Sequence, residues 1–194
     1  MSRLSEVLVV RRMPYILLVA LALTGCGGPA RYARTDVDLG AIATVAIVPF
    51  ENLTNDKLAA ERTHRMFLTE LLYRDAFRVV EPGEVLRAMR RDSMDPAALT
   101  PEDMKRLGET LKAQALFLGT VLEYDEGRSG AGPATPRVRL AFRLVDTETG
   151  TTLWSVSRTE GGATLASRLF GVGGSPASAL AQEIIRSELA ELAP

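Results

Sequence analysis

Reactive side chains are scarce in this chain, and their positions narrow the chemistry open to it. It carries one Cys, Cys26, and one His, His64. A lone thiol forms no internal disulfide, and one thiol with one imidazole cannot build a Cys/His zinc cluster. A Ser-His-Asp triad would have to use His64, which falls on the apolar stripe of an expected helix, and no G-x-S-x-G elbow presents a serine. Gly127, Gly130 and Gly132 make a glycine-rich loop, but it leads into a strand and so lacks the helix N-terminus that cradles phosphate. The carboxylate pairs Asp92/Asp95 and Glu102/Asp103 sit in an expected loop and an expected helix cap. The reading is of a non-enzyme with no cofactor and no metal site.

Two features could carry binding. Arg137, Arg139 and Arg143 form a basic stripe on one face of a predicted strand, suited to an acidic partner or a solvated surface. The segment 161–174 (GGATLASRLFGVGG) sets Leu165, Leu169, Phe170 and Val172 among five glycines. Its backbone is costly to order alone, so contact with a second surface suits it, and the sequence favours it over the arginine stripe as the partner site.

The chain has 194 residues, 46% hydrophobic and 24% charged, with a formal net charge of −1. That composition fits a single folded domain and lacks the basic excess of nucleic-acid binders, so no nucleic-acid partner is expected. Arg3, Arg11 and Arg12 precede nine apolar residues, Tyr15 to Leu23, too few to span a bilayer but suited to a signal peptide. The run ends in Leu23-Thr24-Gly25-Cys26, which resembles the lipobox of bacterial lipoproteins. That resemblance implies cleavage before Cys26, a diacylglycerol on its thiol and an acylated amine, an effectively permanent anchor. Gly27, where many inner-membrane lipoproteins carry Asp, implies the periplasmic face of the outer membrane. Residues 1–25 are then the signal peptide, 26–40 a polar tether reaching about 50 Å at full extension, and 41–194 one α/β domain.

Within that domain, Ile42 to Phe50 reads as a buried strand and Lys57 to Asp75 as an amphipathic helix. Phe77 to Glu81 is a short strand, and Pro82 to Arg91 a second helix. Thr100-Pro101-Glu102-Asp103 opens a third helix with a cap, a first-turn Pro and an acid at the third position. Ala115 to Tyr124, Arg137 to Asp146 and Thr151 to Thr159 read as strands, the second alternating Val138, Leu140, Phe142 and Leu144 against the arginines. A last helix follows Ser175-Pro176. The order β-α-β-α-α-β-β-β-α predicts a mixed five-stranded sheet, parallel in its first half and antiparallel in its second, flanked by helices.

Taken together, VAIVPFENLT, FRVVE, KRLGETLKAQALFLGTVLEY and RLAFRLVDTETGTTLWS resemble the superfamily of curli-assembly channel lipoproteins. That group shares its fold with the lipoprotein activators of penicillin-binding proteins and the N-terminal domain of the Tol translocation protein. The resemblance covers about Ala41 to Leu192. It implies a non-enzymatic adaptor in a cell-envelope complex, held to the outer membrane by its lipid and bound to another envelope protein or to copies of itself. A secretion-channel subunit and a peptidoglycan-synthase activator are the alternatives. In the channel, membrane hairpins would leave at Asp125–Pro136 and Glu160–Ser175; a spanning hairpin needs about 20 residues plus a turn, which these stretches lack. Replacing Cys26 with Ser is expected to abolish incorporation of labelled fatty acid and to leave the precursor uncleaved or soluble. Unchanged processing and membrane partitioning of that variant would refute the lipobox reading.

Overall fold

The structure is a computed structural model and describes residues 30–127, 135–162 and 175–192. Its strands are β1 (Ala30–Ala33), β2 (Thr44–Ile47), β3 (Glu51–Asn52), β4 (Arg78–Val79), β5 (Ala115–Asp125), β6 (Arg137–Asp146) and β7 (Thr152–Gly161). Its helices are α1 (Ala59–Arg74), α2 (Pro82–Arg91), α3 (Pro101–Leu111) and α4 (Ala177–Leu192). The strands form one mixed sheet in the order β1-β7-β6-β5-β2-β4, with β3 also paired to β5. β2 runs parallel to β4 and β5, as expected of strands joined by helices, while β5, β6 and β7 are antiparallel neighbours.

The sheet has seven strands where the sequence predicts five, and both additions have a local cause. Pro49 lacks an N–H and divides the expected strand 42–50, so β2 stops at Ile47 and the chain pairs again at Glu51 and Asn52. The other addition overturns the reading of 26–40 as a free tether. Ala30–Ala33 pairs antiparallel with β7, Ala30 opposite Ser157 and Ala33 opposite Trp154. Asp38 then caps a short 3₁₀ turn at Leu39–Ala41, and Val37 and Leu39 pack against the core.

A buried carboxylate latches this first strand. Glu188 of α4 is 1% exposed and meets Arg31 of β1 and Arg158 of β7, each at 3.0 Å. Glu191 and Glu160 add outer partners to Arg31 and Arg158 respectively. A buried charge is tolerated only when paired and hydrogen-bonded, so Glu188 ties together both ends of the chain and β7.

One sheet face carries the larger core. Val138, Leu140, Phe142 and Leu144 are buried there under α1 and α4, as their alternation predicts. Phe67 of α1 joins Phe50, Phe117 and Phe142 in an aromatic cluster with centroids 4.9–5.4 Å from its own. Phe50 lies directly over Gly119 of β5: a Cβ there would stand 2.6 Å from its ring. α2 and α3 cover the opposite face over Ala46, Val48, Leu116 and Val145. The start of α3 is a capping box, Thr100 Oγ1 accepting from the Asp103 N–H at 3.2 Å and Asp103 accepting from the Thr100 N–H at 3.1 Å.

Gly119→Ala is expected to cost about 1–3 kcal/mol by overpacking against Phe50, read from the urea midpoint, and Phe50→Leu in the same chain to recover part of that loss relative to the two single variants. Additive losses in the double variant would show that the ring and the missing Cβ do not compete for the same space.

Candidate functional site

The helices α2 and α3 cover part of their side of the sheet, and the part that no described element covers is the candidate site. On β6 the boundary falls between neighbours of like orientation. Val145 is 1% exposed beneath the helices, while Arg143, Arg139 and Arg137 are exposed. Cross-strand pairing extends this face sideways, with Arg143 opposite Leu118 and Ser155, Ala141 opposite Thr120 and Ser157, and Tyr32 of β1 opposite Ser155. The result is a polar, weakly basic surface in place of a second apolar core.

The predicted arginine stripe is therefore real as a face, but its members have different settings. Arg143 lines a shallow cavity of about 320 Å³ with Glu51, Thr120, Ala141, Ser155 and Ser157. Pro96 and Ala97, from the turn between α2 and α3, close one end of it. Thr120 donates its hydroxyl to Glu51 at 3.0 Å, which fixes the one carboxylate at the cavity wall. Arg137 lies outside the cavity and approaches Glu123 at 3.9 Å. Among the described residues, Arg139 and Arg143 have no carboxylate within ion-pair distance. They offer two guanidinium forks to an acidic or carbonyl-rich partner.

Alternation alone could have placed Ser155 and Ser157 on this face, since they interleave with buried Trp154 and Val156. Tyr32, 53% exposed, could not be found while its segment was read as tether. Leu165, Leu169, Phe170, Val172 and Cys26 lie outside the described residues.

The groups singled out for chemistry have structural employment. Asp92 pairs with Arg91, whose hydrogen bond holds its carboxyl below the usual range. Asp95 accepts from the Ala97 N–H at 2.9 Å, which shapes the turn beside the cavity. Asp103 is the capping acid, kept below its ordinary pKa first by its hydrogen bonds to Thr100. Among the described residues no three His, Cys, Asp or Glu side chains gather as metal ligands. Gly127 takes φ +72° and donates its N–H to Asp125 at 2.8 Å, a turn role; Gly130 and Gly132 lie outside the described residues.

His64 stands at the rim of a second cavity of about 460 Å³, lined by Phe50, Pro49, Ala60, Pro82 and Leu86 among others. Its ring is edge-on to Phe50 at 5.0 Å, and among the described residues its buried Nε2 has no hydrogen-bond partner. Burial pushes its pKa down, opposed in part by a hydrogen bond to the Ile47 backbone. The desolvated ring favours the neutral form, and Glu61 and Lys57 line the same cavity.

No family model matches this chain, and no curated protein matches it. Solved structures do. The PelC dodecamer from Paraburkholderia phytofirmans superposes with a TM-score of 0.59 at 19% identity, over 87% of this chain and 100% of that one. Lipoprotein GNA1162 from Neisseria meningitidis gives 0.55 at 22% identity, over 78% and 98%. This chain has their fold. The LpoB C-terminal domain from Salmonella enterica superposes more loosely, at 0.46 and 18% identity over 65% and 86%. The fold expected from the resemblance is thus that of PelC and GNA1162, apart from the two added strands. Among the described residues no helix is long and apolar enough to cross a membrane.

Because His64 is the only histidine, its imidazole gives a single Hε1 proton NMR signal. That signal is expected to titrate below the ordinary value of 6.5. A base with a lowered folded-state pKa binds fewer protons folded than unfolded, so its contribution to stability is complete above 6.5 and is lost as pH falls below it. His64→Gln should lessen that acid sensitivity, measured by urea unfolding across the same range. A midpoint at or above 6.5 would contradict the buried, unpaired setting.

Proposed function

We propose that this chain is a non-enzymatic, lipid-anchored periplasmic lipoprotein of the outer membrane, acting as an adaptor that brings a protein partner to the open part of its sheet. The observation that carries the reading is the incomplete covering: a seven-stranded sheet packed by α1 and α4 on one face and, among the described residues, only partly covered by α2 and α3 on the other. A sheet face that is polar, shallowly concave and edged by Arg139 and Arg143, neither ion-paired among the described residues, is stable in water and suited to reversible protein contact. The fold shared with the lipoprotein GNA1162 supports the envelope setting, and Cys26 supplies the anchor.

A second reading, in which the partner is another copy of this chain, draws on the dodecameric state of PelC. The apolar segment with Leu165, Leu169, Phe170 and Val172 is the other candidate contact; the arginine face takes precedence because its surroundings are built around it.

Crosslinking in cells followed by mass spectrometry separates these surfaces. Arg139→Glu/Arg143→Glu is expected to lose the crosslinked partner while keeping its fold by circular dichroism. Leu169→Asp/Phe170→Ser is expected to keep it. The reverse pattern moves the site to the apolar segment. Light scattering on the purified lipoprotein decides between a heterologous partner, for which the chain is monomeric alone, and a ring of copies.

A further inference from the structure

The strand β1 changes what the anchor can do. Its start at Ala30 is four residues from Cys26, so the Cys26 Cα lies within about 14 Å of it. Ala30 pairs with Ser157, and β7 runs on four more residues to Gly161, about 13 Å at strand rise. Because β1 is antiparallel to β7, the chain before Ala30 leaves the sheet at the Gly161 end. The anchor therefore reaches the level of that end and little further. The opposite end of β7, at Thr152, is five residues from Ser157 in the reverse direction, about 17 Å, beyond the anchor's reach.

The same end of the sheet collects the chain's loops. β5 ends there at Asp125 and β6 begins at Arg137. The turn from β3 to α1 is there too, since the Leu53 N–H donates to Val121 and Arg62 of α1 lies 5.2 Å over the Tyr124 ring. The twelve-residue connection 163–174 leaves and returns at one point, as the Ser175 carbonyl stands 2.5 Å from where a Cβ on Gly162 would be. On this rim Leu53 and Leu58 are 58% and 54% exposed, two large apolar side chains in one turn with nothing packed over them among the described residues. Among the described residues, exposed Lys57 and Arg137 are balanced nearby by Asp125 and Glu126, so what the rim offers a membrane is apolar contact and not charge. Leu72 and Tyr73, also exposed, sit at the far end of α1, out of the anchor's range.

We propose that this rim is seated on the lipid surface that holds the anchor, with Leu53 and Leu58 in contact with the bilayer. The seating rests on acylation of Cys26. It stands the strands upright on the membrane and turns the arginine face sideways, toward partners in the periplasm. A lipid surface fits better than a protein because the anchor delivers it to this end at the right height, and apolar side chains at an interface gain by burial in it.

With Cys26 acylated, an introduced cysteine is the only free thiol. The full lipoprotein, purified from membranes with Leu58→Cys or Tyr73→Cys, is labelled with an environment-sensitive fluorophore. It is then reconstituted in phosphatidylethanolamine/phosphatidylglycerol vesicles containing lipid brominated on its acyl chains. Mass spectrometry of the N-terminal peptide reports acylation in the same sample. The expected result is an acylated Cys26, loss of emission from the Leu58 label through bromine quenching, and no loss from the Tyr73 label. An acylated protein whose Tyr73 label is quenched, or whose Leu58 label is not, overturns the seating alone. So does a Leu58 label that shifts to the blue without quenching, the mark of burial against protein. An unmodified Cys26 overturns both the lipoprotein reading and the seating.

Discussion

The ring of Phe67, fully buried in the middle of α1, stands edge-on to Phe50 and Phe117 and tilted against Phe142. One side chain thereby fixes α1 against β5 and β6 and against the bend after β2 that carries Phe50. Phe50 can take part only because Gly119 has no side chain where the ring must lie. The direction of the chain after β2, the pairing of β3 with β5, and the cavity beside His64 all follow from that contact. An interior packed at crystal density has no slack to restore it from another direction.

That core is one-sided, and the asymmetry explains the rest of the surface. α1 and α4 are sixteen residues each; α2 and α3 have ten and eleven and pack over β2, Leu116 of β5 and Val145 of β6. Beyond their edge the strands keep alternating, but serine, threonine and arginine replace valine and leucine. A face of this composition needs no cover in water. The imidazole of His64 packs edge-on to Phe50, and Asp92, Asp95 and Asp103 serve an ion pair, a turn and a helix cap.

The first strand is held to this architecture by a buried charge. Arg31 reaches across to Glu188 near the C-terminus, and Arg158 meets the same carboxylate from β7. Removing either arginine leaves the charge half-satisfied, so β1 is held in register by more than four residues of edge pairing. The segment Ala30–Ala33 is thereby fixed to the sheet and to α4.

Much of this was legible from the chain alone, where the physics is local. The Thr100–Asp103 box, the Pro82 helix start, the alternation of β6 and the parallel-then-antiparallel order depend on neighbours within a turn or on the length of a connection, and the structure bears them out. His64 packs edge-on to Phe50, as its place on an apolar stripe suggests, but its buried Nε2 has no hydrogen-bond partner among the described residues, where the stripe suggests a satisfied ring. The arginine face was visible as a pattern, but whether helices would cover it was not, because that depends on where α2 and α3 land in three dimensions. Ala30–Ala33 lacks the apolar alternation that marks a strand; its partners are in β7 and α4, more than a hundred residues away, and no local window contains them. Propensity and period were enough to write the elements. The edge of the sheet and the face that α2 and α3 leave open were decided by long-range pairing and by one buried carboxylate.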